Sequence, residues 1–317
     1  MPDRHRLLTA YPPPPSPART RPPSRAPLRV GAVQERWHAD PEEHRSALAA
    51  GITTAAREGA RIVCLQELTL TPYFAITADG PAAVGVQPEE LETGPTVSFA
   101  RQMATETGAY VHASLYERAD DTDGLGYNTA ILVAPDGPLV SRTRKLHIPV
   151  TAGYYEDHYF RPGPIDGDPF PVAALAADGD QALIGFPTCW VQWFPELARA
   201  YSLAGAEVIV YPTAIGSEPD HPEFDTEPLW QQVIVASGIA NGTFMVAINR
   251  FGTEGPITFY GSSFVSDPYG RVLVQAPRDE PAVLVADLDL DQRQDWLELF
   301  PFLRTRRPEA YGRLTER

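Results

Sequence analysis

The feature that most constrains the fold is a strand–helix–strand pattern near the start of the chain. Residues 28–34 form a short apolar run, and Asp40-Pro41-Glu42-Glu43 then supplies an N-cap, a first-turn proline and acidic residues, which together begin a helix. A second apolar run, residues 61–66, follows that helix and ends in the carboxylate of Glu67. Because a helix connects the two strands, they are expected to run parallel. The pattern therefore predicts a βαβ unit.

Strands and helices continue to alternate after this unit, but antiparallel pairs interrupt them. Residues 127–134 and 139–145 form one such pair, joined by the turn Asp136-Gly137. The mixture predicts two mixed sheets with helices outside them, a layered α/β sandwich formed by one domain over residues 28–317. A doubly wound single sheet is the alternative. Residues 1–27 are rich in proline and arginine and are predicted to be a disordered arm.

Charge and cysteine content restrict the partners and the compartment. The net charge is -15, which argues against nucleic acid and against anionic membrane surfaces, because both require clustered Lys and Arg. A small neutral or cationic molecule fits this charge. No apolar run is long enough to span a bilayer. The chain has only two cysteines, too few for a disulfide framework, so we expect a reducing cytoplasm.

Three reactive side chains stand at predicted strand ends, where ligands bind in α/β sheets: Glu67, Lys145 and Cys189. Each has an ordinary alternative, respectively a cap, a solvated strand edge and a small buried hydrophobe. Cys189 precedes a predicted helix, whose partial positive charge is expected to favour the thiolate. Together the three supply a base, a cation and a nucleophile, the set that acyl transfer requires. The Trp190 N–H and the lysine ammonium are candidate donors to an oxyanion.

At these positions the chain resembles the nitrilase (carbon–nitrogen hydrolase) superfamily, whose hallmark is a Glu-Lys-Cys triad. The matching motifs are Leu65-Gln66-Glu67-Leu68, Arg144-Lys145-Leu146-His147-Ile148-Pro149 and Cys189-Trp190-Val191-Gln192-Trp193-Phe194-Pro195-Glu196. Gly153-Tyr154-Tyr155-Glu156 and Tyr211-Pro212-Thr213-Ala214-Ile215-Gly216-Ser217-Glu218 are similar to the N-carbamoylputrescine amidase branch. The resemblance implies a four-layer αββα sandwich, a homodimer or higher homo-oligomer, and no cofactor.

The resemblance also implies roles for particular residues. Glu67, Lys145 and Cys189 are expected to be catalytic, with Glu156 as a second glutamate that positions the lysine. The residues expected to bind substrate are Trp190, Tyr73, Tyr154, Glu218 and His147. Glu218 is assigned to a distal ammonium group, with a solvated loop carboxylate as the alternative. Without the resemblance, Glu156-Asp157-His158 suggests a metal cluster, but its spacing fits no standard zinc pattern and no metal is expected.

The expected activity is hydrolysis of a small N-carbamoyl amine such as N-carbamoylputrescine, through a cysteine thioester, to amine, carbon dioxide and ammonia. Val150 and Val191 stand where the branch usually has acidic residues. Both are expected to lie beside the site, which predicts a substrate less polar or less cationic than carbamoylputrescine. The alternatives are hydrolysis of another amide, a β-ureido acid or a nitrile, and a non-catalytic protein that binds a ligand or partner.

Overall fold

The computed structural model describes residues 5–120, 123–151, 153–177 and 180–316. Within them the strands form two large sheets and one small hairpin. The strand bounds are β1 Arg6–Ala10, β2 Leu28–Gln34, β3 Ile62–Cys64, β4 Tyr110–Glu117, β5 Tyr127–Val133, β6 Leu139–Arg144, β7 Val172–Ala177, β8 Asp180–Gly185, β9 Val208–Thr213, β10 Phe244–Asn249, β11 Phe251–Glu254, β12 Ile257–Tyr260, β13 Phe264–Ser266, β14 Val272–Gln275 and β15 Ala282–Leu288.

Helices begin and end at residues that satisfy their free backbone groups. The Asp40 carboxylate accepts hydrogen bonds from the N–H groups of Glu42 and Glu43, as the sequence predicts. Two helices end at glycines in the left-handed conformation, Gly108 and Gly242. The α-helices of the described residues are α1 Pro41–Arg57, α2 Pro95–Thr107, α3 Pro195–Leu203, α4 Glu227–Asn241 and α5 Asp291–Leu299.

The two large sheets stack face to face between two pairs of helices. The first has the strand order β1-β15-β2-β3-β4-β5-β6 and the second β14-β13-β10-β9-β8-β7. Strands β2 and β3 pair in parallel, which confirms the predicted βαβ unit. Apolar side chains of both sheets form one core between them, α1 and α2 cover the first sheet, and α3 and α4 cover the second. The four-layer αββα prediction is confirmed, and the single-sheet alternative is wrong.

The proline-rich arm differs from its prediction. Residues 1–4 lie outside the described part, but strand β1 pairs in parallel with β15 at the edge of the first sheet. Further along the arm, Arg19 forms ion pairs with Asp289 and Asp295, and Arg25 contacts Glu207 and Asp291. The prediction of disorder is therefore wrong for residues 5–27. The backbone of β1 forms hydrogen bonds with the edge strand β15, and the arginines of the arm pair with carboxylates of the folded domain.

The strand ends bring the candidate residues to one side of the sandwich. Strand β3 ends three residues before Glu67, β6 ends immediately before Lys145, and β8 ends four residues before Cys189. Strand β9 ends at Thr213, whose carbonyl accepts a hydrogen bond from the N–H of Glu67, with a nitrogen–oxygen distance of 3.4 Å. This bond joins the two sheets at the site. No helix among the described residues has both the length and the apolar character needed to cross a membrane.

A buried histidine between the sheets makes the stability sensitive to acid. His112 on β4 is fully buried, its ring stacks on Phe186 at 5.2 Å, and neither ring nitrogen has a hydrogen-bond partner among the described residues. Burial lowers the pKa of His112 to about 3. An unfolded histidine has a pKa near 6.5, so the unfolded state binds the proton first as pH falls and stability is lost below about pH 6.5.

We therefore expect His112→Phe to make unfolding less sensitive to acid. The free energy of unfolding of the wild type should fall between pH 7.5 and pH 5, and the substitution should remove about 2 kcal/mol of that fall. Urea unfolding at both pH values measures the difference. An equal effect of the substitution at the two pH values would contradict the assignment, because a packing change alone does not depend on protonation.

Candidate active site

Lys145 lies at the centre of a fully buried ion-pair cluster. Its Nζ is 3.0 Å from Glu67 Oε1 and 2.7 Å from each carboxylate oxygen of Glu156. Burial alone would lower the pKa of Lys145, but the negative charges of Glu156 and Glu67 outweigh it and raise that pKa above its usual value. The lysine is thus held as an ammonium, although it has no access to water.

Glu156 is fixed by two donors. Besides the lysine, the Tyr73 hydroxyl donates to its Oε1 at 2.5 Å. Burial raises the pKa of Glu156, the lysine charge opposes that rise, and the charge of Glu67 adds to it. The two carboxylates therefore compete for one cation. Of the run Glu156-Asp157-His158, only the glutamate is buried, whereas Asp157 and His158 are exposed.

The carboxylate of Glu67 has one occupied oxygen and one free oxygen. Oε1 accepts hydrogen bonds from Lys145 Nζ and from the Asn128 side-chain amide, whereas Oε2 has no partner among the described residues. The backbone at this position is also held, because the buried Arg250 guanidinium donates to the carbonyls of Glu67 and Leu68 at 2.7 and 3.1 Å. Leu68 has a positive φ of 49°, an uncommon conformation for this residue type that these bonds stabilise.

Cys189 is the first residue of a short 3₁₀ helix, Cys189–Trp193, and is 7% exposed. Burial and then the charge of Glu67 raise the pKa of Cys189 well above its usual value, and the lysine opposes this only in part. This direction is opposite to the sequence-based expectation of a thiolate in the resting protein. The helix is short, and that expectation did not include the burial of the thiol or the charge of Glu67. A neutral thiol is the state that this environment favours.

A cavity of about 200 Å³ opens above this cluster. Lys145, Glu156 and Cys189 lie in its wall, together with Tyr73 and Tyr154. Most of the remaining wall is apolar and is formed by Pro149, Trp190, Trp193, Ala214, Ile215 and Leu229. A nucleophile and a cation thus border a cavity whose wall is mostly apolar, which suits a small molecule with a methylene chain.

The cavity contains four of the five residues predicted to bind substrate: Tyr73, Tyr154, Trp190 and Glu218. Glu218 lies close enough to Tyr154 for its charge to raise the pKa of that phenol, after burial. His147 is not among the described residues that line the cavity. Its ring stacks on Phe194 at 3.9 Å instead. The prediction that His147 contacts the substrate is therefore not supported by its position.

The two valines at unusual positions do not line the cavity either. Val191 is 2% exposed and packs in the apolar core with Leu197 and Tyr201, whereas Val150 is 74% exposed. Neither is among the described cavity-lining residues, although the adjacent Pro149 is. The argument that these valines make the substrate less cationic therefore loses its basis.

Sequence reasoning missed two polar residues of the site, Asn128 and Gln192. Asn128 is a buried amide in the mostly apolar strand β5, and its place in that strand was the available signal. Gln192 is buried, lines the cavity and accepts a hydrogen bond from the Trp230 indole at 3.0 Å. No group of three or more His, Cys, Asp or Glu side chains in the described part of the chain is arranged to hold a metal ion.

The comparison with known sequences decides the family. Residues 29–298 match the carbon-nitrogen hydrolase family. The chain belongs to the carbon–nitrogen hydrolase family. It is 34% identical to a citrullinase of Francisella tularensis over 295 residues, which are 92% of this chain and 99% of the relative. It is 36% identical over 268 residues to an N-carbamoylputrescine amidase of Arabidopsis thaliana, covering 82% of this chain and 86% of that protein.

A solved structure agrees with this assignment. The carbon–nitrogen hydrolase of Helicobacter pylori G27 superposes with a TM-score of 0.81 at 30% identity and covers 92% of this chain and 99% of its own. The resemblance to the nitrilase superfamily inferred from the motifs is confirmed. This carbon–nitrogen hydrolase is therefore an enzyme whose class acts on non-peptide C–N bonds of small molecules.

Proposed function

We propose that this carbon–nitrogen hydrolase cleaves small N-carbamoyl amines that carry a distal ammonium group, of which N-carbamoylputrescine is the model substrate. One observation carries the proposal. Among the described cavity-lining residues, Glu218 is the only charged side chain outside the Lys145–Glu156 pair, and no arginine lines the wall. Glu218 forms no ion pair with any described residue, and an ammonium group would give it one.

The chemistry follows from the cluster below the cavity. Glu67 Oε2 takes the proton of the Cys189 thiol as the sulfur attacks the carbonyl carbon of the ureido group. The oxyanion is stabilised by Lys145 Nζ and by the N–H of Trp190, which lies in the first turn of the 3₁₀ helix, where backbone N–H groups have no helical acceptor.

Collapse of this intermediate breaks the bond to the terminal nitrogen, which leaves as ammonia with the proton held by Glu67. Water then attacks the thioester, and Glu67 takes a proton from that water. Glu67 passes this proton to the departing sulfur, which restores the thiol of Cys189. The released carbamic acid decomposes to amine and carbon dioxide. One urea group and one water are thus converted to amine, carbon dioxide and ammonia.

Citrulline is a second candidate, and the citrullinase relative, which aligns over 92% of this chain, is the observation that favours it. Citrulline carries a ureido group and an ammonium group, but also a carboxylate. A carboxylate in this cavity would lie near Glu218 without a free cation among the described wall residues. The like-charge contact and the loss of hydration both oppose its binding.

Ammonia release by the purified protein tests the two candidates against each other, with N-carbamoylputrescine, citrulline and the neutral analogue n-butylurea as substrates. Glu218→Gln is expected to lower kcat/KM for N-carbamoylputrescine by about 10- to 100-fold, mainly through KM, and to leave n-butylurea nearly unchanged. The matched control is Glu223→Gln, an exposed glutamate that does not line the cavity. Equal losses for both substrates, or faster turnover of citrulline by the wild type, would overturn the ammonium assignment.

A further inference from the structure

We propose that Asn128 is the positioning residue of the catalytic base: it fixes the Glu67 carboxylate so that one oxygen is fully hydrogen-bonded and the other is left free to take the thiol proton. The Asn128 amide donates to Glu67 Oε1 at 2.7 Å. Only the NH₂ group of an amide can donate to a carboxylate, so the orientation of the Asn128 side chain is determined. The inference rests on the proposed role of Glu67 as the base.

Asn128 also sets the position of the lysine. Its backbone carbonyl accepts the hydrogen bond from the Lys145 N–H at 2.8 Å, just after β6 ends. One residue therefore holds Lys145 by its main chain and Glu67 by its side chain. Both side chains are fully buried, so no water competes for these bonds.

The arrangement has a chemical consequence for Glu67. Oε1 accepts two hydrogen bonds, from Asn128 and Lys145, and both of its acceptor positions are therefore occupied. Oε2 has no partner among the described residues, so it is the oxygen that remains available to accept a proton. Without the amide, the carboxylate is held at Oε1 by the lysine alone and is free to rotate about that contact. The thiol proton would then have no fixed acceptor.

A buried asparagine can also be retained for packing alone, and the chain supplies a control for that. Asn241, at the end of α4, is 3% exposed, donates one hydrogen bond to the Ser237 carbonyl and has an unpartnered Oδ1, as Asn128 does. It belongs to the outer helical layer and is not among the cavity-lining residues. Asn241→Leu therefore makes the same substitution and also removes a buried amide hydrogen bond, in this case to a backbone carbonyl, without touching the base.

The test compares Asn128→Leu with Asn241→Leu by two readouts on folded protein. The first is kcat and KM for ammonia release, where Asn128→Leu is expected to lower kcat by about 10- to 100-fold with KM nearly unchanged. The second is the rate at which iodoacetamide alkylates Cys189, measured by peptide mass spectrometry, which is expected to fall by a similar factor. Asn241→Leu should change neither. If the two variants lose activity equally, or if neither loses it, the proposal is wrong.

Asn128→Asp gives a signature that packing cannot produce. The introduced carboxyl and Glu67 then share a proton, and only the protonated form donates to Oε1 as the amide does. Activity relative to wild type is expected to be largely retained at low pH and to fall by up to tenfold per pH unit above the apparent pKa of the pair. A relative pH profile that stays flat would overturn the proposal.

Alkylation does not depend on the substrate, so the two proposals fail separately. If no ureido compound is turned over but Asn128→Leu slows alkylation, the substrate assignment fails and the positioning role stands. If N-carbamoylputrescine is turned over and Asn128→Leu leaves both rates unchanged, the positioning role fails alone.

Discussion

Lys145→Met is expected to abolish turnover and to destabilise the fold. The substitution removes the cation from between Glu67 and Glu156 and leaves two carboxylates buried beside each other. Removing one partner of a buried ion pair lowers the free energy of unfolding by about 3–5 kcal/mol, because the other charge stays buried without a partner. The loss of an oxyanion donor alone lowers kcat by about 10²–10³-fold. Urea unfolding and ammonia release measure the two effects.

The pH dependence of Lys145→Met identifies the cause. Burial already raises the pKa of Glu156, and loss of the lysine raises it further. A carboxyl whose folded pKa is raised gains stability as pH falls, so the destabilisation should be largest near pH 8 and shrink toward pH 5. Adding Glu156→Gln removes one of the two charges and should restore part of the stability but none of the activity. A loss of stability that does not depend on pH would indicate a packing defect instead of unpaired charge.

The sequence predicted those parts of the fold that depend on local pattern. Strand β2 and helix α1 have clear periodicity and a capping aspartate, and they lie within a residue or two of their predicted bounds. Strand β1 could not be predicted, because Arg6–Ala10 is flanked by prolines and its partner, β15, is more than 270 residues away in the chain. This segment becomes a strand only because it pairs with the open edge of the folded sheet.

The site shows the same division. The grouping of Glu67, Lys145 and Cys189 was predictable because each was placed at the end of a predicted strand, where ligands bind in α/β sheets. The charge state of Cys189 was not, since it depends on Glu67, a residue 122 positions earlier, and on burial. Asn128 was missed for a related reason: the role of a polar residue inside a strand cannot be predicted until the side chain that it contacts is known, here Glu67.

Cys189→Ala is expected to remove all turnover with little effect on stability. Without the sulfur no thioester can form, and loss of a nucleophile lowers kcat by at least about 10⁴-fold in enzymes that act through a covalent intermediate. The thiol lies in a cavity wall, so its removal leaves little new empty volume and the unfolding free energy should change by less than about 1 kcal/mol. Ammonia release and urea unfolding on the same preparation measure both.

The second cysteine is the matched control, and the opposite result is expected for it. Cys64 ends β3 in the core between the sheets and is fully buried, and burial raises the pKa of its thiol. Cys64→Ala should leave kcat unchanged and cost about 1 kcal/mol of stability, the usual price of a lost apolar atom in a packed core. Activity lost equally in both variants would contradict Cys189 as the sole nucleophile.

The pH profile of the wild type separates this mechanism from one with a preformed thiolate. Because burial and Glu67 raise the pKa of Cys189, the resting thiol is neutral and needs Glu67 to ionise it during the attack. The rate should therefore not increase between pH 7.5 and pH 9, the range in which ordinary thiols ionise. Turnover that rises with pH across this range, together with faster alkylation of Cys189, would show that the sulfur ionises on its own and that the carboxylate has another role.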